Sequence, residues 1–262
     1  MKTKQILALI ISMLIFLAGI AIGLYFNIRA VWSDLEATSF WGYPEALLYD
    51  RSIETEAKLS SLRCPVLITP SDAKFLTVKV VNKQAQQIKP MLQISVSDPT
   101  QKENIQRNYF EPNLAPQASE EITYLLTSQN FIDQRIIYVR VFLMNSEYFP
   151  PSETRHCGVF VSKLGNLNSG QLIGTLIASA LLLVGLGLGL WWHSSSEQMK
   201  RTKYIFNRML WLAAFMLITA IMVLLGWHLL AIIFLLLTIL LIFSILENFV
   251  MDSINKQHEP IV

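Results

Sequence analysis

Charge is scarce in this sequence: 15% of its 262 residues are Asp, Glu, Lys or Arg, where a soluble domain carries about 25%. The net charge of +2 is too small for the basic face that nucleic-acid binding needs. Cysteine is nearly absent, with only Cys64 and Cys157 and no C-x-x-C, and the four histidines are scattered. Zinc sites need several such ligands at close spacing, so no metal ligands are expected. The chain also lacks G-x-S-x-G, H-E-x-x-H and a Walker A loop, which removes the commonest signatures of hydrolases, zinc proteases and nucleotide-binding enzymes. Glu120 and Glu121 are neighbours in an alternating stretch, so they point to opposite faces and form no carboxylate pair. Asp72, Asp98 and Asp133 fall in turn-like pieces, where aspartate serves local hydrogen bonding. No catalytic residue, cofactor-binding residue or cofactor is expected, and the chain reads as a non-enzyme.

What the sequence does have is long apolar runs. Ile6–Phe26, Leu172–Trp192, Met209–Gly226 and Leu229–Val250 each reach the length of about 18 residues that spans a bilayer. The expected layout is a first span over 1–30, read as an uncleaved anchor, then spans over 166–193, 209–227 and 228–250. The last two are joined by so short a turn that they should form an antiparallel hairpin. Trp191, Trp192, Trp211 and Trp227 stand at run ends, the depth that amphipathic rings prefer. Lys2 and Lys4 precede the first span, and Lys200, Arg201, Lys203 and Arg208 crowd the loop 194–208. The positive-inside rule then puts both termini, that loop and the tail 251–262 in the cytoplasm, and residues 27–171 outside it. The expected location is the inner (cytoplasmic) membrane of the cell. The middles of the runs hold no ionisable residue, so no proton or ion path is marked; Glu247 and Asp252 lie at the inner end of the fourth. Small residues recur at helical spacing: Gly19 and Gly23; Gly170, Gly174 and Ala178; Gly185 and Gly189. Such faces let helices approach closely, against helices of this chain or of other membrane subunits, or else they face lipid.

Between the first two runs the period changes from helical to two. "FLTVKVVN", "MLQISVS", "EEITYLLT" and "RIIYVRVFLMN" alternate, with "CPVLIT", "QRNYFEPN" and "HCGVFVS" completing seven candidate strands separated by turn-rich pieces. Short alternating strands at this spacing predict an antiparallel β-sandwich over 64–165. Residues 31–63 are expected to be an interfacial or linker segment, with a short helix starting at Pro44. Both cysteines fall in the part placed outside the cytoplasm. A Cys64–Cys157 disulfide is the leading reading there, with two buried thiols as the alternative. The pattern therefore gives a membrane protein with four transmembrane helices plus an all-β sandwich outside the cytoplasm, which the resemblance below makes an immunoglobulin-like one.

"LTVKVVN", then "LAPQASEEITYLLT" and "IIYVRVFLMN", resemble the bacterial extracytoplasmic immunoglobulin-like modules of the CARDB type. There a strand ending in V-x-N precedes a Leu-x-Pro-Gly-x-Ser turn. Gln117 occupies the position where that family usually has glycine. The resemblance covers about 64–162 and implies a binding or structural module with no shared active site. The resulting expectation is an accessory or scaffold subunit of a bacterial membrane complex, in contact with the bilayer and with other membrane subunits. The runner-up is a membrane-anchored sensor or adhesion-type receptor.

Overall fold

The computed structural model of the protein describes residues 3–42, 57–144, 153–164, 167–194 and 200–257. Lys2 and residues 44–56 lie outside the described residues, as do the side chains of Lys4, Lys200, Arg201, Lys203, Glu247 and Asp252. The chain divides into two compact units, Met1–Ile28 with Ile173–Val262, and Arg29–Leu172.

The first unit is helical. It contains most of α1 (Thr3–Trp41) and α2 (Ser169–Ser194), with all of α3 (Lys200–Leu224) and α4 (His228–Gln257). Among the described residues, three stretches, Leu7–Trp41, Ser169–Ser194 and Ile205–Leu224, are long and apolar enough to cross a membrane, and His228–Ser244 is a shorter apolar stretch. Phe16 and Ile20 of α1, Val184 and Trp191 of α2, and Met209, Leu212 and Met216 of α3 share one buried cluster. The α3–α4 reversal uses Gly226 at φ 74°, a left-handed conformation that glycine adopts without steric cost. Arg208 donates to the carbonyl and hydroxyl oxygens of Ser244 at 3.1 and 3.2 Å, tying α3 to α4. The expected loop 194–208 is helical from Lys200 onward, because "KRTKYIFNR" has no glycine or proline to stop it.

The second unit is a β-sandwich carrying residues 29–41 of α1. Its eight described strands are β1 (Ala57–Arg63), β2 (Leu67–Ile68), β3 (Lys74–Asn82), β4 (Met91–Ser97), β5 (Ile105–Phe110), β6 (Ser119–Leu126), β7 (Ile136–Met144) and β8 (Glu153–Val161). One sheet runs β1-β3-β6 and the other β2-β8-β7-β4-β5. All neighbours are antiparallel except β2, which runs parallel to β8. This two-sheet order is that of an immunoglobulin-like fold. Leu76, Val78 and Val80 of β3 face Ile94 and Val96 of β4 and Val139 and Val141 of β7 in one core. The intervening Thr77 and Lys79 turn outward, as period two requires.

The segment expected as a linker, 31–63, is different on both sides. The first helix does not end at residue 30: α1 continues to Trp41 and stops before Gly42 at φ 77°, the usual left-handed helix end. Residues 57–63 form a strand. Buried Ala57 and Leu59 alternate with exposed Lys58 and Ser60, and serine favours helix interiors little. The expected strand at Cys64 shrinks to Leu67–Ile68. Pro65 lacks an N–H for the ladder, and here the chain leaves β3 for β8, passing from one sheet to the other.

Candidate interaction surfaces

Residues 29–41 of α1 lie against β7 and β8. Gly158 makes this possible: a Cβ there would overlap the Ser33 carbonyl. Ser33 Oγ also reaches the Gly158 carbonyl at 3.3 Å. Further along, Thr38 Oγ1 is 2.7 Å from His156 Nε2, and Arg135 pairs with Glu36 at 2.8 Å. Phe40 stacks on Tyr138 at 4.4 Å between centroids. Arg140 donates to the Trp41 carbonyl at 2.9 Å and lies 3.8 Å from the Phe142 ring centroid. The helix thus reads the strand pair residue by residue, with Ala37 closing a small apolar cluster with Ile136 and Tyr138.

Between His156 and Gly158 is Cys157, which forms a disulfide with Cys64 across a Cα–Cα distance of 6.6 Å. Cys64 sits where the chain changes sheets, so the bond ties that crossover to the strand that receives the helix. The closed loop, 93 residues in sequence separation, corresponds to roughly 4–5 kcal/mol in the chain-entropy account. Among the described residues no group of three or more His, Cys, Asp or Glu is placed to hold a metal.

The V-x-N strand end and the following turn meet in space. Asn82 is fully buried. Its amide donates to the carbonyls of Gln86, Leu114 and Ala115 at 2.8, 3.2 and 2.9 Å, and its oxygen accepts from the Gln84 N–H at 2.8 Å. Gln117 adopts φ 57°, the left-handed region that suits the glycine usual at this position. Its side chain donates to the Lys83 carbonyl at 2.8 Å.

The start of α2 is built from both ends of a capping box. Asn168 Oδ1 accepts from the Gln171 N–H at 2.9 Å, and Gln171 Oε1 from the Asn168 N–H at 3.3 Å. The N-x-x-Q pattern ahead of an apolar run was a legible signal for this. Asp72, from the turn before β3, accepts the Ser169 N–H. Burial opposes the charge on Asp72, but the Ser169 hydroxyl and N–H, Thr69 and the charge of Lys74 outweigh it and hold the carboxyl below its ordinary value.

The small residues separate into two sets. Gly19 is a contact: a Cβ there would lie 2.8–2.9 Å from Val184 and the Ala180 carbonyl. Gly23 packs under Met216, whose carbonyl accepts from Asn27 Nδ2 at 3.0 Å. Gly187, which spacing alone did not single out, is the close-packed member of "GLGLG". A Cβ there would come within 2.6 Å of Phe16 Cβ, and its carbonyl accepts from Ser12 Oγ at 2.6 Å. Gly174, Gly185 and Gly189 would meet nothing within 4 Å, Gly170 touches only its own cap at 3.5 Å, and Ala178 is exposed. Residues 174, 178, 185 and 189 fall within an arc of about 60° on α2 at 3.6 residues per turn.

No family model matches the chain, and no curated protein matches it. Among solved structures, the CARDB domain of the PF1109 protein from Pyrococcus furiosus, in complex with di-metal ions, aligns at a TM-score of 0.34 and 10% identity, over 43% of this chain and 98% of that one. A β-glucosidase from Listeria innocua in complex with glucose aligns at 0.30 and 21% identity, over 42% of this chain and 16% of the enzyme. The β-glucosidase EmGH1 from Erythrobacter marinus aligns at 0.32 and 10% identity, over 41% and 16%. These partial likenesses indicate neither glycosidase activity nor a metal site in this chain.

Proposed function

We propose that this chain is a non-enzymatic accessory or scaffold subunit of a bacterial membrane complex. In this reading the four helices span the inner membrane, both termini lie in the cytoplasm, and the sandwich lies outside it. The observation that carries the subunit role is the open face of α2. Gly174, Ala178, Gly185 and Gly189 share one face of α2, where a Cβ at the three glycines meets nothing within 4 Å among the described residues and Ala178 is exposed, while Gly19, Gly23 and Gly187 are used up in internal packing. A groove of small residues in hydrocarbon favours close approach by another helix. The disulfide supports an extracytoplasmic sandwich, since oxidising compartments keep such bonds.

The test is the double substitution Gly185→Leu with Gly189→Leu in the full chain, purified in mild detergent and examined by native mass spectrometry. A Cβ at either position meets nothing within 4 Å among the described residues, so the fold is expected to persist. Wild type is expected in a hetero-assembly of fixed stoichiometry, and the variant as free chain. Equal assembly of both would remove the α2 contact, and a wild type that is monomeric in native membranes would remove the subunit role.

A further inference from the structure

The outer face of the β1-β3-β6 sheet is polar over most of its length. Cross-strand neighbours Thr77–Thr123 and Lys79–Glu121 lie there. At one end the character changes to a Phe75–Leu125 pair, with Phe75 63% and Leu125 43% exposed. Directly opposite residues on one face touch and act as a unit, so these two make a continuous apolar edge. That edge has a fixed place. The turn before β3 carries Asp72, whose carboxylate holds the Ser169 N–H at the first residue of α2. Beyond the end of β8 at Val161 the chain continues through Lys163 and Leu164, and Leu164 is 51% exposed. Exposed apolar side chains therefore gather at the one end of the sandwich where the chain turns into a long apolar helix.

We propose that this end of the sandwich is a membrane-contact rim, with Phe75, Leu125 and Leu164 seated in the headgroup layer of the phospholipid bilayer around α2. The proposal rests on the membrane-anchor reading of α2 given above. Lys74 and Lys163 flank the apolar residues in sequence. Long basic side chains beside apolar ones suit the boundary between headgroup phosphates and acyl chains. Confinement of the apolar pair to the α2 end, with polar pairs beyond it, matches a flat apolar phase met at one level. A rim of this kind limits tilting of the sandwich over the bilayer, in addition to its covalent attachment through α2.

The test places a nitroxide at single cysteines in the full chain reconstituted into phosphatidylcholine vesicles, with the native disulfide left intact. Phe75→Cys and Leu125→Cys are the probes, Val81→Cys reports the far end of the same face, and Leu186→Cys reports α2. Collision rates with oxygen, which partitions into lipid, are compared with those of a water-soluble nickel chelate. The expected result is oxygen-dominated relaxation at 186, a several-fold rise in the oxygen-to-nickel ratio at 75 and 125 over that at 81, and nickel dominance at 81. A lipid signal at 186 with water-like ratios at 75 and 125 overturns the rim and leaves the anchor standing. A water-like ratio at 186 overturns both. Exclusion of both reagents at 75 and 125 shows a protein cover in place of lipid and overturns the rim.

Discussion

Asn82 makes four hydrogen bonds from a site closed to solvent. The Leu114 and Ala115 carbonyls keep backbone donors, Ile88 and Ala118, when its side chain is removed, so the loss is that of the bonds themselves, about 0.5–1.5 kcal/mol each. Asn82→Ala is expected to lower stability by about 2–3 kcal/mol in chemical denaturation of the sandwich. Gln117 is the reverse case. A left-handed non-glycine residue costs roughly 1–2 kcal/mol, against an exposed hydrogen bond of about 0.5 kcal/mol, so Gln117→Gly is expected to raise the melting temperature. Gly158→Ala puts a methyl group against the Ser33 backbone, and overpacking of this kind costs about 1–3 kcal/mol. Faster proteolysis within residues 29–41 is the readout. For Asp72, whose folded value is depressed, the stabilisation is present in full above the ordinary carboxylate value of about 4. It is lost as pH falls through the lower folded value, and Asp72→Asn should flatten that acid limb in thermal melts. At this scale the sequence was informative in part. The Cys64–Cys157 bond was the leading of two readings because both cysteines fall in the part placed outside the cytoplasm, and the V-x-N end entered through the resemblance. The role of Gly158 could not be read, because it depends on a helix more than 100 residues away in sequence.

Two elements show where pattern reading stops. The end of α1 was expected at residue 30 because hydropathy falls there, yet the helix runs on to Trp41. Ser33, Ala37 and Trp41 recur at four-residue steps and pack on β7 and β8; one polar, one small and one aromatic side chain make no apolar periodicity. In α2, spacing identified "GLGLG" as a packing motif but not which glycine faces inward. Partner geometry decides that, and Gly187 lies on Phe16 while its neighbours lie open. Gly187→Ala is therefore expected to destabilise the helical unit by about 1–3 kcal/mol. Gly185→Ala should be neutral or stabilising by up to about 1 kcal/mol from helix propensity. Thermal aggregation of the two variants in detergent distinguishes them, and equal losses would show that the assigned faces are wrong.

For the molecule as a whole, the alternation of apolar runs with a period-two region made a helical part and a sandwich legible, whereas the sheet order and the change of sheet near Pro65 rest on long-range pairing that the pattern does not carry. The account's central claim is that this sandwich is held on the extracytoplasmic side by its helices, and thiol labelling of intact cells with an impermeant maleimide tests it most directly. With no reductant, wild type is expected to stay unlabelled because Cys64 and Cys157 are bonded to each other. Ser71→Cys, at an exposed turn of the sandwich, is expected to label fully, and Ser195→Cys and Ser253→Cys only after the membrane is permeabilised. Labelling of Ser195→Cys in intact cells, with Ser71→Cys protected, would invert the topology and contradict the account.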